Sequence, residues 1–133
     1  MSNDSVRSGP EGDHALQNGR AVRTPSFDTL FDLLSERRRR YALYALTGIE
    51  DGLADVETLA DEVALWEART SDAKLTESLR QEIADGLRET HLPLLAEADI
   101  VEHDDRSDAV RYWRQPTLEE YLDHTRFKES QDE

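Results

Sequence analysis

One junction constrains this chain more than any other feature: a long stretch with helical spacing, residues 75–98, runs almost directly into two short apolar runs, 100–103 and 109–113. In the first part Leu75, Leu79, Ile83, Leu87 and Leu94 form a broad, slowly rotating apolar face, the signature of an amphipathic helix. In the second, Ile100 and Val101 are separated from Val110, Tyr112 and Trp113 by the polar, turn-rich segment Asp104, Asp105, Arg106, Ser107 and Asp108. β-Branched and aromatic residues on either side of such a segment predict a hairpin. Pro93 lacks a backbone N–H and presses on the carbonyl of Glu89, so the helix is expected to kink, or to end early, near Leu92. Its last turn then aims the chain into the hairpin.

The rest of the chain supplies further helices. Residues 1–25 carry Ser, Gly, Asn, Pro and scattered charges without apolar periodicity, and read as an unstructured tail or as a short recognition arm using Arg7, Arg20 and Arg23. Ser26 suits an N-cap for a short helix carrying Phe27, Leu30, Phe31 and Leu34, and Ser35 a second cap. Beyond Ser35, Glu36 and Arg37 to Arg40 lead into six consecutive apolar residues, 41–46, which other helices or a second subunit must cover on several sides. Gly48 and Gly52 stop that helix. Asp55 caps a third, whose Val56, Leu59, Ala60, Val63 and Trp66 form one buried stripe. Thr117 with Glu120 suggests a capping box for a short last helix bearing Leu118, Tyr121 and Leu122, with fraying from Lys128 onward. The expected division is a tail over 1–25, one domain over 26–116, and a short C-terminal helix and tail over 117–133.

Two amphipathic helices joined by the polar link 70–73, then a hairpin, are the outline of a winged helix. The expected fold class is therefore mostly α with a small β-hairpin, a winged helix-turn-helix with residues 74–97 as recognition helix and 100–113 as wing. Three ordered segments, LLSERRRRY (33–41), LADEVALWE (59–67) and THLPLLAEA (90–98), resemble a haloarchaeal winged-helix domain family of unassigned biochemical role over about residues 27–113. That family in turn resembles archaeal and bacterial winged-helix regulators, which implies DNA binding by analogy of fold. The chain departs from the family pattern at Leu94, where a basic residue is usual, and at Asp99, where glycine is usual.

Thirty acidic residues against sixteen basic ones give a formal charge of −14, which at low ionic strength repels a phosphate backbone. The basic set is fourteen arginines and two lysines, and the acids are spread along the helices, a pattern that resembles proteins of salt-loving archaea. At molar salt the screening length is about 3 Å, so local contacts decide and the acidity reports habitat more than partner. The absence of cysteine excludes disulfides, cysteine-ligated zinc and thiol nucleophiles. No apolar run approaches a membrane span and no secretory-signal pattern opens the sequence, so a soluble cytoplasmic protein without membrane contact is expected.

The chemistry-bearing candidates are the basic and amide residues of the helices and hairpin. Of the quartet Arg37 to Arg40, successive residues point about 100° apart, so at most two, with Arg37 and Arg38 as candidates, can face one partner. The alternative is that these arginines pair with Glu36, Asp32 and acids of neighbouring helices. On the outward side of the recognition helix, Lys74, Ser78, Gln81 and Arg88 are candidate base or phosphate contacts, while Glu77 and Asp85 on the same side oppose them. Arg106 and Arg111 in the hairpin can reach a groove or simply solubilise its tip. Trp66, Trp113, Tyr41 and Tyr44 fit core or interface positions better than stacking platforms. The histidines show no ligand spacing and no catalytic constellation stands out, so neither a metal, a cofactor nor an enzymatic activity is expected. The expected function is a DNA-binding transcriptional regulator of a halophilic archaeon, a homodimer on double-stranded DNA; the alternative is a winged-helix protein-interaction module without specific DNA binding.

Overall fold

The computed structural model describes residues 24–72 and 74–131, together with a two-rung backbone pairing of Leu16–Gln17 with Arg20–Ala21. The rest of the expected tail lies outside the described residues. The molecule is mostly helical, with a small three-stranded antiparallel sheet. In chain order the elements are α1 (Phe27–Leu34), α2 (Arg37–Thr47), β1 (Leu53–Asp55), α3 (Val56–Thr70), α4 (Glu77–Gly86), a π turn (Leu87–His91), α5 (Leu92–Glu97), β2 (Val101–Asp104), β3 (Ala109–Tyr112) and α6 (Pro116–Gln131).

Local chemistry sets most boundaries. The Ser26 hydroxyl accepts from the Thr29 amide at 3.2 Å, and the Asp55 carboxylate accepts from the Thr58 amide at 2.8 Å, as expected of N-caps. Ser35 plays a different part from the one expected. It closes α1, its amide bonding the Asp32 carbonyl, whereas α2 opens at Glu36 without a side-chain cap. The fourth helix starts later than its apolar spacing suggested, because Thr76 accepts from the Leu79 amide at 3.0 Å and thereby fixes the first turn at Glu77. Leu75 consequently stays exposed; Leu94 of α5 is exposed as well, while Ile83 and Leu87 carry the buried face.

Pro93 does not end this helix. Before it the backbone widens into a π turn, in which the Leu92 amide reaches the carbonyl of Leu87, and helical structure resumes through Glu97. An α-helical bond to Glu89 is impossible for proline, and one wide turn accommodates the ring without breaking the helix. The chain then leaves through a Schellman closure: Ile100 donates to the Leu95 carbonyl and Asp99, at φ 62°, donates to Ala96. The aspartate thus takes the left-handed conformation usually given to glycine.

The hairpin forms as predicted, with Val101 opposite Tyr112 and Asp104 opposite Ala109. Sequence reading missed β1, which pairs with β3 through Leu53 opposite Arg111 and Asp55 opposite Ala109, giving the sheet order β1-β3-β2. Gly52 enters it at φ 67° and accepts from the Tyr112 amide at 2.8 Å. One core gathers Leu30, Leu43, Leu46, Leu59, Leu87, Leu95, Ile100 and Val110 with Leu118 and Leu122 of the last helix. The apolar run 41–46 is covered within the chain by those helices. The last helix is longer than expected: Pro116 occupies its first turn, Gln115 supplies the first carbonyl, to Glu119, and the helix persists through Gln131 instead of fraying at Lys128. Among the described residues no helix is long and apolar enough to cross a membrane.

Candidate nucleic-acid interface

The outward side of α4 is the surface on which the sequence concentrated its candidate contacts. A shallow cleft there is lined by Arg38, Glu77, Ser78, Gln81, Glu82, Asp85, Gly86 and Glu89. Ser78 and Gln81 are exposed, and the Gln81 amide donates to the Asp85 carboxylate at 3.0 Å. Lys74 is also exposed, but it lies ahead of the Thr76 cap and not on the helix. The face therefore offers amide and hydroxyl groups within a ring of acids.

The arginine quartet is largely consumed by the fold. Arg39 is buried and donates to the Leu33 carbonyl at 2.8 Å and the Asp32 carbonyl at 3.3 Å. Arg40 donates to the Leu34 carbonyl at 2.7 Å and forms a two-point pair with Glu129 of α6 at 2.8 and 3.0 Å. Together they satisfy carbonyls that the end of α1 leaves without helical partners. Burial pushes the Glu129 carboxyl up, but the Arg40 and Tyr44 hydrogen bonds outweigh it and hold the group below its ordinary value. Arg38 grips Glu67 of α3 at 2.5 Å and Glu82 of α4 at 2.8 Å. Of the two candidates in the quartet, only Arg37 remains fully exposed.

A second network ties the hairpin to the helices. Glu57, at the start of α3, receives Arg80 and, at 2.8 Å, Arg88. Arg88 also reaches Asp108 of the hairpin at 2.7 Å, and Asp108 in turn lies 2.9 Å from the His103 ring. Arg80 and then Arg88 hold the Glu57 carboxyl below its usual range; Arg88 and then His103 do the same for Asp108. Arg88 is thus a positioning group for the hairpin. Of the two hairpin candidates, Arg106 stands exposed at the tip, while Arg111 lies over the Trp113 ring with its guanidinium carbon 5.6 Å from the centroid.

Sequence reasoning missed Arg80, whose acidic partners lie one turn away on its own helix and on α3, and the pair Arg69 and Arg126. These two converge on Trp66 at 4.9 and 5.7 Å from its ring centroid, and Tyr41 stacks on the same indole at 5.2 Å. Trp66 and Tyr41 are buried, as their spacing suggested. A cation site over an indole has no local sequence signature when one arginine comes from α3 and the other from α6. Among the described residues no group of three or more His, Asp or Glu side chains is placed to hold a metal ion.

No curated protein and no solved structure matches the chain. Residues 31–111, from within α1 to the penultimate residue of β3, match the family described as Domain of unknown function (DUF7344), and the chain belongs to that family.

Proposed function

We propose that this chain is a winged-helix transcriptional regulator of a halophilic archaeon that binds double-stranded DNA as a homodimer in the cytoplasm. The observation that carries the reading is topological: helix, strand, two helices and hairpin follow one another as α2, β1, α3, α4–α5 and β2–β3, with β1 closing the sheet on β3. In that arrangement α4 is the helix offered to a major groove and the hairpin is the wing. Ser78 and Gln81 supply base-edge hydrogen bonds, and Lys74, Arg37, Arg106 and Arg111 supply phosphate contacts. Arg38 and Arg88 contribute by holding α4 and the wing in place. Glu77, Glu82 and Asp85 repel phosphate only at contact range in molar salt.

The test is selection of genomic fragments by the folded protein in molar KCl, repeated with the triple variant Lys74→Ala, Gln81→Ala, Arg106→Ala. Enrichment of a two-fold symmetric sequence that the variant loses is the expected result. Retention of the site by the variant would refute the contact assignment.

One observation favours a second reading, a protein-interaction module on the same fold. The α4 cleft exposes Glu77, Glu82, Asp85 and Glu89, and its one lining arginine, Arg38, is already engaged. A basic partner segment suits such a face. Folded protein that enriches no DNA sequence yet binds a basic peptide in a manner sensitive to Glu82→Lys would select this reading.

A further inference from the structure

All three phenylalanines of the chain are on the outside: Phe27, Phe31 and Phe127 are 61, 52 and 61% exposed. Both tryptophans and three of the four tyrosines are buried, so the chain does not lack interior sites for rings. Phe27 and Phe31 stack one turn apart on α1, with centroids 6.2 Å apart, and the half-buried Tyr121 of α6 meets them edge-on at 6.3 and 5.5 Å. Phe127 lies six residues beyond Tyr121 and about 120° further round α6, so it belongs to a different side of that helix. At roughly 200 Å² per ring, Phe27 and Phe31 leave about 230 Å² of aromatic surface open to water.

Charge says what covers it. On α1 the exposed neighbours of the two rings are the acids Asp28 and Asp32. On α6 the residues one and two turns beyond Tyr121, on its side of the helix, are His124 and Lys128, both exposed. An acid-flanked aromatic helix beside a base-flanked aromatic helix is self-complementary under a two-fold axis, because α1 of one copy can lie along α6 of the other and each contact then occurs twice. The chain's own N-terminal segment is a poor cover, since residues 1–23 contain no aromatic residue and only Met1, Val6, Leu16 and Val22 as larger apolar side chains.

We infer that the α1–α6 aromatic surface is where a second copy of this chain docks, with Asp28 and Asp32 of one protomer facing His124 and Lys128 of its partner. The inference rests on the homodimer of the proposed function but not on DNA. The two rings supply a little over a quarter of the roughly 800 Å² per partner that a stable interface buries, and the helix flanks supply the rest.

Sedimentation of the full chain in molar KCl tests this. The expected result is the mass of a dimer, shifted to monomer or weakened at least tenfold by Phe27→Ser with Phe31→Ser, and unchanged by Leu65→Ser on α3. A second readout does not touch the rings. In this cysteine-free chain, a mixture of copies carrying Asp32→Cys and copies carrying Lys128→Cys should form a mixed disulfide in excess of either self-pair under mild oxidation. A dimer indifferent to the phenylalanine variant and without excess mixed disulfide overturns the surface but leaves the regulator reading intact. A monomeric parent that dimerises only after removal of residues 1–23 overturns it in favour of the chain's own tail. Loss of DNA selection with the dimer retained would instead sink the regulator reading alone.

Discussion

Replacing Gly52 by alanine interrogates the one strand that the sequence did not announce. Gly52 sits at φ 67°, and a Cβ built there lies 2.9 Å from the Tyr112 carbonyl oxygen, a backbone atom that cannot swing aside. The left-handed conformation costs an L-residue about 1–2 kcal/mol. Relieving the contact means moving β1 away from β3 and weakening the 2.8 Å bond from the Tyr112 amide to the Gly52 carbonyl, about a further 1 kcal/mol. Against this, alanine restricts the unfolded chain and returns about 0.4–1 kcal/mol. The net loss is about 2 kcal/mol, or a fall in Tm of roughly 10 °C for a domain of this size. Gly48 is the internal control: its φ is −86° and a Cβ would meet only the Tyr44 and Ala45 carbonyls at 3.5 and 3.6 Å, so Gly48→Ala should be neutral or slightly stabilising. Thermal unfolding followed by circular dichroism in molar KCl measures both. A Gly52→Ala protein that melts with or above Gly48→Ala would refute the β1–β3 register and the closed sheet that depends on it.

Three other substitutions probe the networks. Glu129→Ala removes the acceptor shared by Arg40 and the Tyr44 hydroxyl, in a pair whose side chains are each 17% exposed, and should cost about 2–3 kcal/mol in denaturant unfolding. Arg88→Ala should cost global stability only about 0.5–1 kcal/mol, because its pairs are partly solvated, yet hydrogen exchange should accelerate in the hairpin and not in α3. His91 is buried with its Nδ1 unbonded, and burial, then the Arg39 charge, holds its pKa below the usual value while Glu36 opposes and Arg38 adds to the shift. The unfolded chain therefore binds this proton first, and stability should fall as pH drops through about 6.5. In His91→Leu that slope should vanish. The carboxylates with lowered pKa, Glu57, Asp108 and Glu129, contribute a separate loss that begins only as pH falls toward about 4.5.

The elements legible in the sequence were those whose signals are local. Asp55 and the stripe from Val56 to Trp66 specified α3, and the polar break between Val101 and Val110 specified the hairpin. β1 was invisible because three residues are too few to establish an alternation, its one large apolar side chain, Leu53, is exposed, and the partner strand lies more than fifty residues away. Ser35 reads as a cap for the second helix because a serine between two helices can serve either one, and only its own bonds to the Asp32 carbonyl, with the arginine contacts to Leu33 and Leu34, show that α1 ends there. The candidate site suffered most from distance. Arg38 meets Glu67 29 positions on and Arg40 meets Glu129 89 positions on, so nothing near the quartet shows which of its charges the fold consumes. Gln81 and Ser78 kept their expected exposure because helical phase alone places them opposite Ile83 and Leu87.

Selection of genomic fragments by the folded protein in molar KCl bears most directly on the central claim. The winged-helix regulator account predicts enrichment of a short two-fold symmetric sequence, protected along one face and lost in the Lys74, Gln81, Arg106 triple variant. Protein shown by circular dichroism to be folded at that salt, yet enriching no sequence over bulk DNA, would contradict it.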